Sequence, residues 1–332
     1  MLRLPGAWIW DFWLADDGDR YHLFFLFASR ALQDEQRRHH RASIGHAVSD
    51  DLRTWTQVSD ALASADGPAF DDVATWTGSV VRGPDTLWWL FYTGVTFVDG
   101  QLRQTIGAAT SSDLEVWHKQ STSPLLTADD RWYEQFGSDT WYEEAWRDPW
   151  VFPDPDGDGW HMLITARANH GPADDRGVVA HAVASDLKRW EVCPPLSQPG
   201  SGFGHIEVPQ VASVEGRLML LFSCLHAQLS ADRRATGATG GIWWAPTDSP
   251  TGPFDVASAR SLTDDSLYCG RLVHDRSGQP LLLAFRYYDR ARQFVGELSD
   301  PMPVGWENGE LTILEPRPKQ ARSVVLPDRR GT

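Results

Sequence analysis

Three carboxylates occupy stretches that otherwise read as aromatic, buried strands. Asp11 lies within Trp8-Ile-Trp-Asp-Phe-Trp-Leu14, Asp148 within Glu144-Ala-Trp-Arg-Asp-Pro-Trp-Val-Phe152, and Glu207 within His205-Ile-Glu-Val-Pro-Gln-Val211. An unpaired carboxylate in a strand interior costs several kcal/mol, roughly, so each must find a cation or face a wet cavity. Arg147 is a ready structural partner for Asp148, and strand capping or ion pairing accounts for one such acid. Three at similar places in three separate strands call for a chemical reading. Two carboxylates astride a scissile bond, one ionised and one kept protonated, are the recurrent machinery of glycoside hydrolysis. A third can hold sugar hydroxyls and stabilise the oxocarbenium-like charge.

The elements that must bring these acids together repeat along the chain. Asp51-Leu-Arg-Thr-Trp55, Asp113-Leu-Glu-Val-Trp117 and Asp186-Leu-Lys-Arg-Trp190 are copies of one corner, with divergent copies at Ala245 to Phe254 and Glu297 to Trp306. Each unit also holds a strongly apolar run: Tyr21 to Phe27, Leu87 to Thr93, Trp160 to Thr165, Arg217 to Phe222 and Pro280 to Phe285. Such runs predict strands covered on both faces. Short Gly, Pro and Asp turns precede every run, which is hairpin chemistry. Five four-stranded antiparallel units without helical periodicity predict an all-β, five-bladed propeller over 1–315, with a C-terminal tail over 316–332. The inner strands are expected to begin near Trp8, Thr75, Glu144, His205 and Ser266, delivering the three acids to equivalent positions around one axial pocket. The long connections before the inner strands and after the apolar strands fall on one face, where the site is expected.

Composition narrows the partners. The 332 residues are 42% hydrophobic and 23% charged, enough for a sizeable core, and the formal net charge of −15 argues against nucleic acid or an anionic membrane. A small neutral carbohydrate fits better, and the 17 Trp supply platforms for sugar faces as well as core packing. Cys193, Cys224 and Cys269 are odd in number and widely spaced, which suggests neither disulfides nor zinc. Asp154-Pro-Asp-Gly-Asp-Gly159 lacks the terminal Glu of a calcium loop and reads as a hairpin turn. The charged run Gln33 to Arg41, with His39 and His40, reads as a solvated loop. No metal and no cofactor are expected. The start at Met1 shows no apolar signal segment, so the expected location is cytoplasmic.

At these residues the chain resembles the clan of five-bladed propeller glycosidases that contains glycoside hydrolase families 32 and 68, the β-fructosidases and fructosyltransferases. Trp10-Asp11-Phe12-Trp13 is similar to the Trp-Asp-x-Trp of family 68, where family 32 usually shows Asn-Asp-Pro. Trp76-Thr-Gly-Ser79 resembles the Trp-Ser-Gly-Ser that lines the fructosyl pocket, Arg147-Asp148-Pro149 matches Arg-Asp-Pro, and Glu207-Val-Pro209 stands in the place of Glu-Cys-Pro or Glu-Arg-Pro. The resemblance implies a retaining enzyme acting on β-D-fructofuranosides such as sucrose or short fructo-oligosaccharides. It makes Asp11 the nucleophile, Glu207 the acid/base and Asp148 the transition-state stabiliser. Trp10, Trp13, Trp76, Ser79, Arg147 and Arg271 are the expected sugar-binding residues. Val208, in place of the Arg or Cys of the family motifs, removes a leaving-group contact. The alternatives are an inverting family 43-like arabinofuranosidase or xylosidase on the same fold, and a non-catalytic carbohydrate-binding propeller.

Overall fold

The computed structural model describes residues 1–138 and 140–315, so the tail expected over 316–332 lies outside the described residues. Five antiparallel sheets follow one another along the chain as blades. Blade I comprises β1 (Ala7–Asp16), β2 (Tyr21–Ser29), β3 (Ser43–Ser49) and β4 (Thr56–Gln57). Blade II comprises β5 (Ala74–Arg82), β6 (Trp88–Val98), β7 (Gln101–Ser111) and β8 (His118–Lys119). Blade III holds β9 (Trp146–Pro153), β10 (Trp160–Arg167), β11 (Gly177–Ala184) and β12 (Trp190–Cys193), and blade IV holds β13 (Glu207–Val214), β14 (Arg217–Cys224), β15 (Gly241–Pro246) and β16 (Arg260–Ser261).

Blade V departs from four strands. After β17 (Leu267–His274) and β18 (Pro280–Tyr288), its third strand is split into β19 (Phe294–Leu298) and β20 (Met302–Glu307), both paired with β18, before β21 (Glu310–Ile313). Pro301, in the gap, cannot donate to a ladder, so the fifth corner copy reads as a break within a strand. The inner strands start one or two residues from the expected positions.

The apolar runs form the second strands and are buried along most of their length. Fully buried Phe24, Phe25, Phe91 and Phe222 each contribute about 1.5–3 kcal/mol of burial. The core lies in wedges between neighbouring blades. The corner repeats also have a physical basis. Leu52, Leu114 and Leu187 take φ of 60°, 65° and 61°. The preceding Asp51, Asp113 and Asp186 accept hydrogen bonds from the backbone N–H groups two and three residues on, which fixes the turn. The buried leucine then plugs the blade.

All five inner strands carry a β-bulge at the same level: the pairing register slips at Asp11, at Thr77, between Arg147 and Trp150, between Glu207 and Gln210, and between Tyr268 and Arg271. A bulge re-aims side chains and frees backbone groups. Asp148, Val208 and Cys269, the first bulged residues of blades III to V, have φ of 59°, 54° and 50°. Each amide donates to a hydroxyl on the second strand of the preceding blade: Asp148 to Thr93 at 3.0 Å, Val208 to Thr165 at 3.2 Å and Cys269 to Ser223 at 3.0 Å. The expectation of three equivalent carboxylates is corrected here. Asp11 and Asp148 are the bulged residues themselves, whereas Glu207 precedes its bulge, level with Trp10, Trp76, Arg147 and Tyr268.

Candidate active site

The two rings of residues at the bulges open into one cavity of about 450 Å³ near the N-terminal ends of the inner strands. Trp10, Trp76, Arg147, Glu207 and Tyr268 line it from five blades, and Asp11, Thr77 and Asp148 line it one residue deeper. The three acids named from the sequence therefore meet in one place. Asp11 Oδ2 accepts from the Thr77 hydroxyl at 2.5 Å. Burial, and then the neighbouring Asp148 charge, raise the Asp11 carboxyl from its ordinary 3.8 to about 7, against the Thr77 hydrogen bond.

Asp148 is buried, and its Oδ2 accepts from the Thr165 hydroxyl at 2.8 Å and the Val208 amide at 3.1 Å. The Arg147 Nε lies 3.7 Å from the same oxygen. Burial raises the Asp148 carboxyl, and Arg147 opposes the rise. Glu207 is held on both oxygens: Oε1 accepts from Arg147 Nη2 at 2.5 Å, and Oε2 accepts from the Tyr268 hydroxyl. Two donors from two other blades thus fix its orientation. The buried guanidinium of Arg147 also reaches Glu143 Oε1 at 3.1 Å and Gln104 Oε1 at 3.0 Å.

The family model for the glycosyl hydrolases family 32 N-terminal domain matches residues 14–286. The chain belongs to this family. The match begins at Leu14, directly after Trp10-Asp11-Phe12-Trp13, the stretch that resembles family 68 instead. An Oryza sativa protein named beta-fructofuranosidase, insoluble isoenzyme 7, is 32% identical over 109 residues, which take in 32% of this chain and 17% of that protein. The chain thus aligns with less than a fifth of that relative's length.

Among solved structures, the inulosucrase from Halalkalicoccus jeotgali bound to kestose superposes with a TM-score of 0.75 at 20% identity, covering 94% of this chain and 90% of that one. The Bombyx mori GH32 beta-fructofuranosidase gives 0.70 at 19% identity over 95% and 64%. The Bacillus subtilis levansucrase gives 0.71 at 15% identity over 94% and 87%. At these identities the likeness is one of fold.

Of the expected sugar-binding residues, Trp10, Trp76 and Arg147 of this family 32 chain line the cavity and three do not. Trp13 is buried in the core and stacks on Phe24 with ring centroids 6.2 Å apart, because strand alternation turns it away from the axis. Ser79 accepts from the Val151 amide at 3.0 Å and ties blade II to blade III. Arg271 lies outside the cavity lining, where it donates to the carbonyls of Phe12, Val208 and Pro209 and covers Trp150. It anchors the bulged backbones.

The run read as a solvated loop also needs correction. A 3-10 helix over Glu35–His40 brings Gln36, Arg38, His39 and His40 to the cavity wall. It is locked there by the Trp76 indole, which donates to the His39 carbonyl at 2.8 Å, and by Arg38, whose guanidinium lies 4.2 Å over Phe294. Arg38 is buried, its Nε has no partner among the described residues, and burial lowers its pKa. Glu143, Tyr142, Gln228 and Tyr287 complete the wall and carried no sequence signal. Val208, noted as a missing contact, is buried at the bulge and serves Asp148 through its amide.

Proposed function

We propose that this family 32 chain is a retaining glycoside hydrolase or fructosyltransferase acting on short β-D-fructofuranosides such as sucrose. The observation that carries the reading is the meeting of Asp11, Asp148 and Glu207, from three blades, in one cavity with Glu207 fixed between Arg147 and Tyr268. In the first step an Asp11 oxygen attacks the anomeric carbon while Glu207 gives its proton to the departing glycosidic oxygen. In the second, Glu207 takes a proton from water or an acceptor hydroxyl, whose oxygen displaces Asp11 and restores the starting configuration.

The Thr77 hydroxyl favours the ionised form of Asp11 that the attack requires. The described protein contacts of the Asp148 carboxylate all run to Oδ2, which leaves Oδ1 for a sugar hydroxyl. Its charge also supports the positive charge that develops on the ring. Trp10 and Trp76 offer apolar walls for the sugar.

The test is a panel of sucrose, short fructo-oligosaccharides, inulin, levan and aryl arabinofuranosides, with the anomer formed first followed by NMR. Turnover of short fructosides with retention supports the reading. Turnover of arabinosides with inversion, or binding without turnover, overturns it.

A further inference from the structure

Glu143 is a fourth carboxylate in the cavity, and the reaction just described does not use it. Its Oε1 lies 3.1 Å from Arg147 Nη1, and its Oε2 accepts from Gln104 Nε2 at 2.7 Å. Gln104 Oε1 accepts in turn from the same Nη1 at 3.0 Å, closing a triangle. The other arm of the guanidinium, Nη2, donates to Glu207 at 2.5 Å. One cation therefore spans two acids.

Little else nearby carries positive charge. The groups facing Glu207 are Arg147 and Asp148 from β9, Tyr268 from β17, Asp11 from β1, Cys224 from β14, Tyr287 from β18, and Tyr142, Glu143 and His205 from the loops. His205 stays neutral, because burial and then Arg147 push its pKa well below the usual value. Its Nδ1 faces Arg147 at 3.3 Å and its Nε2 faces Glu143 at 3.8 Å.

We propose that Glu143 is a positioning residue which, by claiming one arm of Arg147 and placing a negative charge beside it, leaves Glu207 able to carry the proton that the leaving group receives. The proposal rests on the reaction put forward above. If Glu207 alone held Arg147, the ion pair would favour its ionised form and the proton would be lost at lower pH. With Glu143 ionised, the guanidinium is shared and the second proton of the pair stays on Glu207.

The test compares wild type with Glu143→Gln, which keeps the shape and removes the charge, and Glu143→Asp, which restores it. The basic limb of kcat and kcat/KM on sucrose should move down by about one pH unit in Glu143→Gln, an estimate for one charge removed at short range. That is about a tenfold loss above the limb with the plateau below it nearly unchanged, and Glu143→Asp should recover most of the shift. A second readout needs no substrate: the 13C carboxyl resonance of Glu207, assigned with Glu207→Gln, should titrate about one unit lower in Glu143→Gln. An unmoved limb with lower kcat/KM at every pH, or a raised KM alone, would overturn the proposal in favour of a wall or sugar-binding role. Inactivity of wild type on every fructoside would strike the substrate reading, and the resonance would still decide whether Glu143 controls the Glu207 proton.

Discussion

At the corners of blades I to III, Asp51, Asp113 and Asp186 stand in solvent and collect backbone N–H donors, which hold their carboxyls below the ordinary 3.8. At the inner bulges of blades I and III, Asp11 and Asp148 face a cavity where burial and mutual repulsion raise them. The residue type is the same and the shift is opposite. Backbone donors make the corner aspartates structural, whereas the bulge turns Asp11 and Asp148 out of the ladder into a place where their ionisation is costly. Costly ionisation at a converging point is what marks a reactive carboxylate.

The largest difference between the two sets should appear in turnover. Asp11→Ala and Asp148→Ala should each lower kcat/KM on sucrose by about 10⁴-fold or more, and Glu207→Gln by about 10²–10⁴-fold. Azide separates the roles. With an activated fructoside it should restore turnover to Asp11→Ala alone and give the α-fructosyl azide, since only one displacement occurs while Glu207 still supplies a proton. Rescue at position 148 instead of 11 would reverse the assignment. Asp51→Ala and Asp113→Ala should keep wild-type kcat/KM, and a loss at either corner would erase the contrast.

A smaller effect should appear in the pH profile. Asp11 must be ionised to attack, and its carboxyl sits at about 7, so kcat/KM should rise with pH through an acid limb near neutrality. Thr77→Val removes the donor that favours the ionised form. The limb should then move up by about one unit, so that the variant loses more activity at pH 6 than at pH 8. An acid limb unmoved by Thr77→Val would show that Asp11 does not set it.

Much of this contrast was readable from residue order alone. The corner copies, the apolar runs and their turns give five blades, because each unit repeats the same local chemistry in the same order. The acids stood out because a charge inside an aromatic run contradicts its surroundings. What was not readable depends on contacts between distant elements. The bulges are held by Thr93, Thr165 and Ser223, which end apolar runs and carry no local sign that they serve the next blade. The one-residue offset between Asp148 and Glu207 follows from strand pairing. The charged run at Gln33 to Arg41 looked solvated because burial of Arg38 depends on Phe294, some 250 residues away. Ser79 and Arg271 matched motifs, yet their neighbours turn them to backbone duties.

The smallest expected effect is on stability, where the two kinds of aspartate should give opposite pH slopes. For Asp11 the folded value of about 7 exceeds the ordinary 3.8, so between those values the native state holds a proton that the unfolded chain has lost. Stability therefore falls as pH rises through that window, and Asp11→Asn should be more stable than wild type at pH 8 by about 1–2 kcal/mol, allowing for water in the cavity. The gain should nearly vanish by pH 4. For Asp51 the folded value is lowered to about 2, chiefly by the Thr54 and Arg53 amides, so its contribution is present above 3.8 and is lost as pH falls towards 2. Asp51→Ala should cost about 0.5–1 kcal/mol at pH 7, the low end for a lost cap in solvent, and about half of that at pH 3. Urea midpoints of each variant, taken as differences from wild type at each pH, remove the contributions that all other groups share. If Asp11→Asn and Asp51→Ala changed stability with the same sign of slope, the cavity and the corners would be electrostatically alike, and the case for Asp11 as the reactive acid would lose its physical basis.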